Sequence, residues 1–392
     1  MDLLTKQFIT EHLQDDVRQL ALQARRYPDI NMDLALRQIT GRQKIRHKVP
    51  FFYQNEDILY PVRLSLEQAS SETTAYYKAS LCMGHSFADL TGGMGVDTYF
   101  ISQNFKEAVY VERQTELCQL AEHNFAVLKA NHIKVVNSTA EKYLAEIPAI
   151  DSIYLDPARR DNSGKKLVLL SDCEPNVVTL ADQLLGKAPF VLIKLSPMLD
   201  ISSAINDIPA IAEIHILAVE NECKETLLVL KREKVNQISV HTVNFLKNGE
   251  TQAFSYHIGD ENIDQTYTSE IKQYLYEPNA AIMKGGAFKL IAQRFNISKL
   301  HPHTHLYTSD IRIPDFPGRI FRVKGTWGYS GKEWKKQAEQ TIQANVAVRN
   351  FPLKAEELKK KLKLSDGGTC YLFACTLTNN SKTIIECSKT EN

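Results

Sequence analysis

The stretch FADLTGGMGVDTYF sets Asp89 at the end of an apolar run and places Gly92, Gly93 and Gly95 directly behind it, with Thr91 and Asp97 beside the turn. An acid, a glycine turn and a following helix form the first βα unit of a nucleotide-type fold, where glycines let the backbone pass under a ligand. The pattern departs from G-x-G-x-x-G, because the acid comes first and no glycine stands at the pyrophosphate position. An acid there repels a pyrophosphate and accepts a hydrogen bond from an ammonium group. A cationic amino-acid ligand therefore fits better than a dinucleotide. Glu112, followed by Arg113, ends the next apolar run 23 residues after Asp89, close to the ~20 expected for a carboxylate on ribose hydroxyls. Ser138 and Thr139 follow the third run, where an adenine edge would lie, and Asp156-Pro157-Ala158-Arg159 follows the fourth.

These residues need strands to bring them to one edge. Short apolar runs at SFADL, EAVYVE, IKVVN, DSIYLD, PFVLIKLS, EIHILAVE and ETLLVLKR alternate with helical patterns between 87 and about 231. Such alternation predicts an α/β domain with a seven-stranded, mostly parallel sheet. The last two runs are joined by the short polar turn NECK and are expected to pair antiparallel. Residues 1–75 read as helical, 232–318 as a small α+β module and 319–392 as a second, basic one.

In this order the motifs resemble those of class I S-adenosylmethionine-dependent methyltransferases, with a Rossmann-like sheet whose last strand is antiparallel. LEQASSETTAYYKASL, NAAIMKGGAFKLIAQRF and ANVAVRNFPLKAEELKKKLKLSDGGTCYLFACTL resemble the bacterial members that carry a ferredoxin-like module and a C-terminal THUMP-like domain. The resemblance implies S-adenosylmethionine as cofactor, held by Asp89, Thr91, Gly92, Gly93, Gly95, Asp97, Glu112, Arg113, Ser138 and Thr139. THUMP domains are RNA-binding modules of RNA-modifying enzymes, so it also implies an RNA substrate.

Asp156, Pro157, Arg159 and Lys194 are the candidate catalytic residues. In amino-group methyltransferases of nucleic acids the comparable motif ends in two prolines and an aromatic; here Ala158 and Arg159 replace the second proline and the ring. A guanidinium stacks on a base or grips a phosphate, so nucleic acid stays compatible while adenine-N6 chemistry loses support. The same segment resembles RNA uracil-5-methyltransferases, which need a cysteine thiolate after the fifth strand. Ser196 stands there, and a serine does not replace a thiolate. Methyl transfer to a nitrogen or similar heteroatom is the expectation. Lys194 orients substrate or is a lysine snorkelling from a strand end.

The net charge of +1 conceals an asymmetry: residues 319–392 hold 14 Lys/Arg against 7 Asp/Glu. RNA contacts are expected at Arg349, Lys359, Lys360 and Lys361, beside the aromatics Trp327, Tyr329, Trp334 and Phe351. A second basic run supplies Arg42, Lys44, Arg46 and Lys48 within a stretch free of acids. His301, His303 and His305 share one face if extended, but without a carboxylate or cysteine at ligand spacing a polar strand or loop is the plainer reading, and no metal is expected. Seven scattered cysteines without a C-x-x-C pair fit a reducing compartment. With no apolar stretch near ~20 residues and a charged N-terminus, the chain reads as cytoplasmic with no membrane partner. Oligomeric state has no signature. Two other functions remain compatible with these residues: methylation of a protein or small molecule, and RNA binding by a methyltransferase fold that no longer turns over.

Overall fold

The computed structural model describes residues 1–159, 170–329 and 343–390, apart from the side chains of residues 63–65 and Arg159. The chain divides into two compact units, Met1–Ile214 with Glu225–Asn236, and His215–Lys224 with Gln237–Asn392.

The first unit opens with helices α1 (Leu3–Glu11), α2 (Val17–Leu22), α3 (Met32–Ile45), α4 (Pro50–Gln54), α5 (Arg63–Gln68) and α6 (Glu72–Leu81). Asp2, Asp16, Asn31 and Ser71 each accept a backbone N–H of the first turn, and Pro50 starts its helix where a missing N–H costs nothing. Ile45, Val49, Phe52 and Tyr60 pack with Val96 and Phe100, which welds these helices to the domain that follows.

That domain runs β1 (Ser86–Asp89), α7 (Val96–Ser102), β2 (Glu107–Glu112), α8 (Thr115–Val127), β3 (Ile133–Asn137), α9 (Ala140–Glu146) and β4 (Ser152–Leu155). A two-stranded ribbon, β5 (Ala158–Arg159) with β6 (Cys173–Glu174), precedes α10 (Val177–Lys187), β7 (Phe190–Leu195), α11 (Ile201–Asp207), β8 (Ile211–Val219) and β9 (Glu222–Lys231). The seven main strands lie in the order β3-β2-β1-β4-β7-β9-β8. β1 pairs in parallel with both β2 and β4, β2 with β3 and β4 with β7, whereas β9 runs antiparallel to β7. Glu220 and Asn221, both at positive φ, turn β8 into β9, as a tight two-residue hairpin requires. The chain order reverses between β1 and β4, which opens a crevice at the strands' carboxyl ends.

In the second unit the hairpin β10 (Ser239–Phe245) and β11 (Thr251–His257) precedes β12 (Tyr274–Pro278), α12 (Ala280–Gly285), α13 (Leu290–Arg294), β13 (Ser298–His301) and β14 (Thr304–Ser309). Then come β15 (Gly318–Gly328), β16 (Asn345–Arg349), α14 (Ala355–Leu362), β17 (Cys370–Thr376) and β18 (Lys382–Lys389). The seven strands from β12 onward form one sheet, in the order β13-β14-β12-β15-β18-β17-β16. The boundary expected at 318 therefore falls inside a sheet, between the paired strands β12 and β15. Leu275, Leu300 and Leu306 from one side of it pack with Phe321, Phe373 and Ile385 from the other. Buried Glu277 accepts from both Arg319 and Arg349 and ties the two halves together. Among the described residues no helix is long and apolar enough to cross a membrane.

Candidate active site

A cleft opens over the carboxyl ends of β1, β2 and β4, where Gly93, Asp97, Glu112, Ser138, Thr139 and Asp156 line it. The glycine turn owes its composition largely to the protein itself. A Cβ on Gly92 would stand 2.1 Å from the Tyr110 ring, and one on Gly95, at φ +80°, would stand 3.0 Å from Phe125. Gly93, at φ +55°, meets nothing nearer than the Thr91 carbonyl at 3.8 Å, so this is the position with open space for a ligand. Two of the three glycines thus answer to aromatic packing beneath the turn, which the expectation of close ligand approach did not contain.

Asp89 also differs from its expected role. It is wholly buried, with Oδ1 accepting from the Thr91 N–H at 2.9 Å and Oδ2 from the Thr98 hydroxyl at 2.5 Å. Burial pushes its carboxyl up to about 7, against the lowering effect of those hydrogen bonds, and the neighbouring Asp97 and Asp156 add to the rise. Asp89 therefore shapes the turn from within and does not present its carboxylate to an ammonium group. Thr91 joins two strand ends, because its hydroxyl also accepts from the Asp156 N–H at 2.6 Å.

Asp97, near the start of α7, is nearly as buried and also lines the cleft. Its Oδ2 accepts from the Ser70 and Tyr154 hydroxyls, both at 2.7 Å, while Oδ1 is ion-paired with Lys78 Nζ at 3.1 Å. Burial works to raise its carboxyl, but Lys78 and Lys194 outweigh it and hold Asp97 below the usual carboxylate range. Glu112 is equally buried and is oriented by the Gly93 N–H at 3.1 Å on one oxygen and the Gln114 N–H at 2.9 Å on the other. Arg113 reaches sideways to Glu174 on the β5–β6 ribbon, at 2.9 Å. Ser138 follows β3, and Thr139 caps α9 through the Lys142 N–H. An ionised carboxylate on the cleft wall, an open glycine and a fixed glutamate at the second strand end together fit a cofactor that combines an amino-acid ammonium with a ribose.

Across the cleft, Asp156 Oδ2 accepts from Lys194 Nζ. Burial opposes the ammonium, but Asp156, Glu225 and Asp97 outweigh it and hold Lys194 above the ordinary lysine range. Burial likewise raises the Asp156 carboxyl, with Lys194 acting against that rise. Lys194 is thus the buried, charged partner of the half-buried Asp156, not a snorkelling lysine. Pro157 follows in the same strand-end segment, and the side chain of Arg159 lies outside the described residues.

The basic candidates separate. Arg42 donates to the Tyr53 and Glu56 carbonyls, Lys44 pairs with Glu67, and Lys48 donates to the Leu66 and Glu67 carbonyls. These three cations serve the N-terminal helices, while Arg46 is exposed beside the Tyr53 ring. Arg349 is committed to Glu277, and Lys359 to Glu356 and Asp366. Lys360 and Lys361 are exposed, the latter over the Tyr329 ring. Trp327, Tyr329 and Phe351 are partly buried against Leu358, and Trp334 lies outside the described residues. The histidines do not share a face: His301 and His303 flank the β13–β14 turn with rings 5.6 Å apart, and His305 stacks on Phe288.

What sequence reasoning missed is the set behind Asp97: Ser70, Lys78 and Glu225. Ser70 and Lys78 lie in the LEQASSETTAYYKASL stretch, but nothing in it marked Lys78 as wholly buried.

Comparison with known proteins bears on the fold and the family. A ferredoxin-like domain model matches residues 274–317 and a THUMP domain-like model residues 318–389. An uncharacterized S-adenosylmethionine-dependent methyltransferase of Mycobacterium tuberculosis is 21% identical over 302 residues, 76% of this chain and 80% of the relative. A crystal structure of a "putative methyltransferase" from Porphyromonas gingivalis W83 superposes with a TM-score of 0.88 at 32% identity, covering 99% of this chain and 98% of the other. Shared over nearly the full length, with the strand order and cleft described above, this likeness makes the chain a member of the class I S-adenosylmethionine-dependent methyltransferases that carry a ferredoxin-like and a THUMP-like domain.

Proposed function

We propose that the protein methylates RNA at a base nitrogen or similar heteroatom, without a cysteine nucleophile. The observation that carries this reading is the pairing of Asp156 with Lys194 at the cleft: Oδ2 is fixed by the lysine, and Oδ1 accepts no hydrogen bond from a described residue. A carboxylate held from one side is placed to accept the N–H of an incoming nucleophile and align its lone pair. S-adenosylmethionine supplies an electrophilic methyl group when bound. Glu112 would hold its ribose, Asp97 its ammonium group, and Ser138 with Thr139 its adenine. Lys194, held protonated, keeps Asp156 in place and is not the base.

Ser196 at the end of β7 accepts the Met198 N–H at 3.2 Å, and its hydroxyl offers no route to the covalent carbon chemistry that a thiolate would allow. The THUMP-like match at 318–389 and the exposed Lys360 and Lys361 support RNA as the substrate class.

The test is transfer of tritium from labelled S-adenosylmethionine to total RNA from cells lacking the gene, with Asp156→Ala alongside. Label should enter RNA and fall roughly 100-fold or more in the variant. Label confined to protein or small molecules would overturn the RNA reading.

A further inference from the structure

The HPHTH motif has no part in the chemistry above, yet a buried ammonium sits beneath it. Lys299 Nζ donates to the carbonyls of His301 and Pro302, both at 2.7 Å, and to that of Thr304 at 3.3 Å. Burial lowers Lys299 to about 8, so it stays largely protonated at pH 7 and fixes the β13–β14 turn from below.

The His301 ring is fixed as well. Its Nδ1 accepts from the His303 N–H at 3.0 Å and from the Asn350 side-chain amide at 3.2 Å. A neutral imidazole that accepts at Nδ1 carries its proton on Nε2, and a proton on Nδ1 would face two other donors. Burial holds His301 below the ordinary histidine range, and His303, Lys299 and Lys382 lower it further. The half-buried ring is therefore kept neutral, with Nε2–H as its remaining donor.

Further donors gather around this ring. His303, Asn350 and Lys382 are all exposed. Asn350 uses one amide N–H on His301, and Lys382 uses one of its three on the Thr376 hydroxyl at 2.9 Å, whose own proton goes to the Asn350 carbonyl. No acid is among the groups whose charge bears on His301 or on His305. Arg349, next to Asn350, shares Glu277 with Arg319, so even there two cations face one carboxylate. A ligand at the turn must accept hydrogen bonds and carry negative charge, which is the chemistry of a phosphate and not of a metal ion. His301 and His303 belong to the ferredoxin-like match, Asn350 and Lys382 to the THUMP-like one. We propose that His301, His303, Asn350 and Lys382 form a site for a backbone phosphate of the RNA, gripped jointly by the two modules. The assignment rests on the RNA reading above and gives that RNA a fixed point on the second unit.

Two measurements on the full chain test it. In NMR with isotope-labelled histidines, His301 should show the Nε2–H tautomer. Its Nε2 resonance should move on adding inorganic phosphate or a synthetic single-stranded RNA of mixed sequence, and not with chloride at equal ionic strength. Affinity for the same RNA should fall about three- to tenfold in His303→Ala and in Lys382→Ala, and Lys382→Ala should lower the slope of log affinity against log salt by roughly 1. RNA that binds the wild type without moving His301, or that binds both variants with unchanged affinity and slope, overturns the assignment and leaves the RNA reading standing. Should a variant fail to fold, the His301 response of the wild type decides. A wild type that binds no RNA overturns the RNA reading, and this site with it. An acidic peptide that moves His301 as strongly as the RNA does would give the turn to a protein partner and overturn the proposal.

Discussion

The glycine turn of the first unit and helix α14 of the second are both dense in functional residue types, but they use them in opposite ways. Around the turn, nearly every polar atom is spent on the protein: Asp89 on Thr91 and Thr98, Glu112 on Gly93 and Gln114, Asp156 on Lys194. On α14, Leu358 is the buried residue while Lys360 and Lys361 face solvent. A change at the turn therefore disturbs the fold and the cleft together, whereas a change at Lys360 or Lys361 costs the fold little. The contrast separates an internally committed site from a surface that acts only through what approaches it.

The largest effect that would sharpen this contrast lies at Asp89. Its folded carboxyl stands at about 7 against an ordinary 3.8, so the folded state binds a proton that the unfolded state has released. That difference costs nothing below about pH 4, grows as pH rises, and is complete above about 7, where it reaches roughly 4 kcal/mol. Asp89→Asn cannot titrate. Its stability relative to wild type should rise from pH 5 to about pH 7 and level off toward pH 8 in urea denaturation, and a pH-independent difference would mean that Asp89 is ionised throughout. A smaller effect is expected at Gly92, where an added Cβ meets Tyr110 at 2.1 Å. Gly92→Ala should cost about 1–3 kcal/mol by overpacking, and the cost should shrink in a Tyr110→Ala background. An unchanged cost there would return the glycine to the ligand side of the turn.

These cases also mark what could be read from the sequence. The strand ends at Glu112 and Asp156 were legible because short apolar runs punctuated by acids have only one way to form a parallel sheet, and that fold brings its carboxyl ends together. The reason for the glycines was not legible, since Tyr110 and Phe125 sit in runs that look like any other strand and helix. Nor was the set behind Asp97: Lys78 and its partner Glu225 are 147 residues apart, and a lysine on a short helix carries no mark of burial. The partners of the basic run at 42–48 were illegible for the same reason. Its partners are mostly carbonyls, which every residue possesses and no composition reveals.

That run supplies the smallest and most discriminating test of the contrast. Lys48 donates to the Leu66 and Glu67 carbonyls at 3.0 and 2.8 Å, whereas Lys360 is exposed on α14. If α14 meets a phosphate backbone, Lys360→Ala should weaken RNA binding a few-fold and lower the slope of log affinity against log salt by roughly 1, because one fewer counterion is released. Its melting temperature should not move. Lys48→Ala should do the reverse, lowering the melting temperature by a few degrees through two lost charge-assisted hydrogen bonds while leaving the salt slope intact. A lower slope for Lys48→Ala would place the N-terminal helices on the RNA as well, and an unchanged slope for Lys360→Ala would move the contact off this face of α14. The two slopes, measured on one RNA, therefore decide which basic segment is structure and which is surface.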